Sequence, residues 1–150
     1  MMDKRQMVPA AGLLATMVAA VYMVVQLNGQ AAQPTADFTN AALAEVRNAQ
    51  GQVILSGQFQ LVEEEDDDVE RKATLAPTGV DADATGEAEI EFSKGAPAEQ
   101  EVEFSVRGVA AGAVLTFVID GTDVATATTD RRGRAEVDLD VRMPGPPASR

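Results

Sequence analysis

Glu87-Ala-Glu-Ile-Glu-Phe92 and Glu101-Val-Glu-Phe-Ser-Val106 decide the fold. In each stretch, apolar and polar residues alternate one by one. Period two marks a half-buried β-strand, because successive side chains leave opposite faces of the pleat. Ala88, Ile90 and Phe92 share one face with Glu87, Glu89 and Glu91 on the other, and Val102, Phe104 and Val106 oppose Glu101, Glu103 and Ser105.

The pattern extends in both directions. Val53, Leu55, Gly57, Phe59 and Leu61 fall on one face, with Gln52, Ser56, Gln58 and Gln60 mostly on the other. Ala135, Val137, Leu139 and Val141 alternate with Arg134, Glu136, Asp138 and Asp140. Leu115 to Ile119 is apolar on both faces, which predicts a central strand.

Turn chemistry separates these runs. Asn48-Ala-Gln-Gly51 and Asp130-Arg-Arg-Gly133 each predict a type I turn closed by a left-handed Gly. Asp120-Gly121 predicts a two-residue hairpin. Strands are expected at 42–48, 52–61, 69–76, 86–93, 100–107, 114–119, 123–129 and 134–142. Ala41 to Gln50 contains good helix formers but is read as a strand, because its turn leads directly into Val53-Ile54-Leu55. The expected fold class is all-β: an antiparallel β-sandwich or barrel of about eight short strands over residues 41–142, preceded by one N-terminal hydrophobic helix. Residues 143–150, rich in Pro, are expected to be a disordered tail.

Gln6 to Ala36 carries no charge, and its apolar core runs from Met7 to Leu27. As a helix, that core would span ~31 Å, against a hydrocarbon thickness of ~30 Å. Lys4 and Arg5 precede it, so the positive-inside rule sends the C-terminal part outward. Residues 1–32 are therefore a signal anchor or a signal peptide. The length of the apolar run favours an anchor through residues 7–27, while Gly29-Gln30-Ala31 offers small residues at a cleavage spacing. Residues 33–40 read as a polar linker. The expected location is extracytoplasmic: periplasmic, cell-surface or secreted, and membrane-anchored if the segment is retained.

Composition narrows the chemistry. The 150-residue chain has no Cys, His or Trp, and its one Tyr, Tyr22, lies in the hydrophobic segment. Disulfides, zinc–thiolate sites, imidazole ligands and the usual general base near neutral pH are all excluded. A net charge of −12 repels nucleic acid and anionic headgroups, leaving a cationic or protein partner, a metal ion or simple solubility. The serines have no activating base, and the regularly spaced acids lack an aromatic sugar platform, so a carboxylate-based hydrolase is the minor alternative to a non-catalytic protein.

Three acidic features stand out. Glu63-Glu-Glu-Asp-Asp-Asp68 reads as a solvated, mobile loop between two strands, or as a low-affinity cation site or a docking strip for a basic partner. Asp81-Ala-Asp83-Ala-Thr85-Gly86 copies the opening of a calcium loop, but Phe92 stands where the bidentate Glu belongs. No cofactor is expected; if calcium binds, Asp81 and Asp83 are the metal ligands this pattern offers. Third, pairing of the two opening strands as a hairpin would place like charges side by side, which is destabilising. Relief is expected from Lys72 on the preceding strand, from counter-ions or from a basic partner.

From Val102 to Val141 the chain runs strand, Gly108-x-x-x-Gly112 break, strand, Asp120-Gly121 turn, Thr-rich strand, Asp130-x-x-Gly133 turn, strand. This resembles modules of exported bacterial β-sandwich proteins of the Ig-like or transthyretin-like kind. The resemblance implies fold and export but no activity. The expected function is a non-catalytic extracytoplasmic binding or envelope-structural module, the alternative being a calcium- or salt-dependent acidic β-domain.

Overall fold

The computed structural model describes residues 34–94 and 99–145. The hydrophobic segment expected within 1–32 and the end of the expected tail lie outside them. Among the described residues there is no helix, and so none long and apolar enough to cross a membrane.

The strands are β1 (Leu43–Arg47), β2 (Val53–Gln58), β3 (Gln60–Glu65), β4 (Asp68–Pro77), β5 (Thr85–Ser93), β6 (Glu99–Arg107), β7 (Val114–Ile119), β8 (Thr122–Thr128) and β9 (Ala135–Arg142). They join in the order β8-β7-β1-β2-β4-β5-β6-β9, every pair antiparallel, with β3 also on β4. The end strands β8 and β9 approach each other without a ladder, so the sheet curls into a nearly closed, barrel-like shape.

Each local turn follows from its residues. Asp120 and Gly121 both have positive φ, 47° and 81°, which gives the twist a two-residue hairpin needs. The Asp120 carboxylate also accepts from the backbone N–H of Leu43 at 2.8 Å and fixes the start of β1. At Asp130 the side chain accepts from the N–H of Arg132 and Arg134, and Gly133 N–H donates to the Asp130 carbonyl. Asn48 repeats this arrangement with Gln50, Gln52 and Gly51.

The expected single strand over 52–61 is divided at Phe59 and extends to Glu65. One register with β4 carries through the break, since Ser56 faces Ala76 and Gln60 faces Lys72. Gly57 permits the close approach there: a Cβ would lie 2.2 Å from the Thr74 carbonyl oxygen. The acidic run is not a loop. Glu63–Glu65 lie in β3, Asp68 opens β4, and Asp66 and Asp67 form the whole turn. Asp66 takes φ = 24°, a conformation its short polar side chain tolerates without Gly. Leu61, expected on the buried face, is 49% exposed, because β3 runs beyond the end of β1.

The interior is filled by the expected apolar faces. Phe104 of β6 and Phe117 of β7 meet at 5.0 Å between ring centroids, joining distant parts of the sheet. The expected linker is docked over its described residues. Phe38 is buried, Thr35 bridges to Arg142, and the buried Gln100 side chain grips the chain from both sides. Its Oε1 accepts from Phe38 N–H at 2.7 Å and its Nε2 donates to the Ala36 carbonyl at 2.8 Å.

Replacing Gln100 by Leu should leave Phe38 N–H buried without an acceptor. The expected cost is about 1–3 kcal/mol, the usual penalty for an orphaned buried polar group, read by denaturant unfolding. Faster amide exchange at Phe38 should accompany it.

Candidate acidic sheet face

Alternation on β4, β5, β6 and β9 turns one face of the curled sheet inward and the other to solvent. The ladder aligns the outward carboxylates in rows. One row runs Glu63, Glu70, Glu91, Glu101, Asp140 across β3, β4, β5, β6 and β9. The next runs Gln60, Lys72, Glu89, Glu103, Asp138, and a third runs Thr74, Glu87, Ser105, Glu136. Lys72 is the only cation in these three rows; Arg107, opposite Thr85, and Arg142, opposite Glu99, stand in the rows at either end of the same face. Arg71, next to Lys72, belongs to the opposite face, paired in register with Leu61 and Ile90.

Lys72 Nζ lies 2.5 Å from Glu70 Oε1 and 3.2 Å from Glu89 Oε2. Close approach of the Lys72 ammonium holds Glu70 below the usual carboxylate range, while Glu70 and then Glu89 raise Lys72. Lys94 pairs with Glu64 near the β3–β4 turn and lowers that carboxyl too.

Two groups of carboxylates remain crowded. Glu70, Glu89 and Glu91 can bring one oxygen each within 4.8 Å of one another, and so can Glu101, Glu103 and Asp138. Glu89 is raised by burial and then by hydrogen bonding with Glu91, against the pull of Lys72. Glu101 is raised by burial first, then by Asp138 and Glu103. Among the described residues, two depressions on this face are open and lined mainly by acids. Such a surface can hold cations or receive a basic chain.

Asp81 and Asp83 lie elsewhere, in the turn before β5, where the Ala84 N–H donates to the Asp81 carbonyl. Among the described residues neither joins a cluster of three acids. Within the β5–β6 hairpin, Glu89 faces Glu103 and Glu91 faces Glu101, and Lys72 relieves one side. Sequence reasoning missed the contribution of β9. Its acids alternate with the same period as those of β5 and β6, but only a pairing across many residues sets Asp138 beside Glu103.

The pH response follows from these shifts. Glu89 and Glu101 hold protons more tightly folded than at their ordinary value of 4.5, so their ionisation costs stability above their raised values, and that cost is absent below 4.5. Glu64 and Glu70 act oppositely: their contribution is present above 4.5 and lost as pH falls through their lowered values. Asp37, bonded to Thr39, and Asp130, bonded to Arg134 and Arg132, behave alike from 3.8 downward. The melting temperature should therefore rise as pH drops from neutral toward 4.5 and fall below it. A steady decline from neutral downward would contradict the crowding described.

No family model matches the chain, and neither a curated protein nor a solved structure does.

Proposed function

We propose that this is a non-catalytic interaction domain, displayed on the outer side of a membrane, whose acidic sheet face takes a cationic partner. The observation that supports it is the set of registered carboxylate rows, in which Lys72 is the sole cation. Random surface charge would include more positive neighbours, since opposed like charges weaken a sheet. Here the unfavourable alignment spans several strands. A positively charged partner turns that internal cost into binding free energy, and its approach is steered by the same field.

The outward location rests on the uncharged segment behind Lys4 and Arg5. Protease added outside intact spheroplasts should digest the domain; full protection until lysis would refute the placement.

A second reading, a salt- or calcium-dependent β-domain, is favoured by the two crowded carboxylate groups. Asp81 and Asp83 remain its other proposed ligands. The two readings part on specificity. At 1 M salt the screening length is about 3 Å, short enough to weaken repulsion between neighbouring carboxylates. The melting temperature should rise with sodium chloride. Lys72→Met should melt lower in dilute buffer, with the gap narrowing as salt is added. Calcium at equal ionic strength should do no better than sodium if the face is a docking surface, and clearly better if it is a metal module. Melting that ignores both salts would remove both readings.

A further inference from the structure

We propose that the free edge of β3 accepts an extended basic segment of a partner protein as an added strand. This rests on the binding role proposed above but places recognition at a sheet edge, not on the acidic face.

The edge is open by topology. β1 covers the far side of β2 only as far as Leu43 opposite Gln58, and Phe59 N–H finds the Ala42 carbonyl at 3.0 Å. From Gln60 onward, β3 pairs with β4 alone among the described residues. Every residue of β3 is exposed, including the adjacent Leu61 at 49% and Val62 at 57%. An exposed row of backbone donors and acceptors is a template for another strand.

Charge decides which strand. Glu63, Glu64 and Glu65 follow the apolar pair directly, with Asp66 and Asp67 at the tip, and Lys94 answers only Glu64. Proteins blunt an edge with charge and with bulges, and β3 has both, its register shifting between Leu61 and Glu63. Blunting by one sign is selective. A second copy of this chain, at −12, would oppose acid to acid along the edge. A strand alternating Lys or Arg with β-branched residues meets no such penalty. Main-chain hydrogen bonds then supply affinity, Leu61 and Val62 supply apolar contact, and the carboxylates reject acidic competitors.

Amide hydrogen exchange on the full chain in zwitterionic micelles, with three synthetic peptides, tests this. The first alternates Lys and Val, the second Glu and Val, and the third is the Lys–Val peptide with every backbone nitrogen methylated. Methylation removes strand-pairing donors while keeping charge, and the protein itself is unaltered. Near saturation the first peptide should slow exchange within Gln60–Glu65 by about tenfold or more, while the other two leave it unchanged. Equal binding of the methylated peptide, with changes confined to the face around Glu89, Glu101 and Glu103, would overturn the edge proposal and leave the acidic-face reading standing. Failure of both Lys-containing peptides to bind would overturn both.

Discussion

The buried face of β5, β6 and β9 fixes a register that the exposed face, left to itself, would avoid. Ile90, Val102 and Phe104 are essentially removed from water, and each such side chain contributes roughly 1.5–3 kcal/mol on burial. A slip of one residue would carry them outward and drive glutamates into the interior. Glu89 is therefore held opposite Glu103, and Glu103 opposite Asp138, by groups on the other side of the same backbone. The acidic face is a consequence of the core, and it persists because burial outweighs surface repulsion partly screened by water.

That balance explains the position of Lys72. It lies on β4, where its ammonium reaches both Glu70 and Glu89. Beyond β5 these three rows carry no further cation, and burial, then the charges of Asp138 and Glu103, make Glu101 hold its proton more tightly. Within these three rows the charge grades from compensated at β4 to unanswered at β6 and β9, while Arg107 and Arg142 stand at the ends of those strands. A cationic partner would find the larger share of unanswered charge on the latter strands.

A few polar groups connect distant parts of the chain. Asp120 fixes the start of β1, and Gln100 fixes the segment leading to it. Both use side chains as substitutes for backbone partners, where the ladder ends and peptide groups would otherwise be unsatisfied. Phe104 against Phe117 does the corresponding apolar work between β6 and β7.

The sequence by itself determined most of the strands, the glycine-closed turns and the acidic alternation of β5 and β6. These are local: a pleat repeats every two residues, and a turn is built from four. The Asp66-Asp67 turn escaped because it lacks Gly, so six acids in a row resembled a loop. Only the tertiary structure decided that β1 lies between β7 and β2, that β9 carries its acids alongside β6, that Phe38 and Gln100 lock the entering chain, and that β3 outruns its neighbour and leaves an edge. Those outcomes depend on contacts between residues far apart along the chain. Many pairings satisfy the same alternation, and closure of one shared interior selects among them.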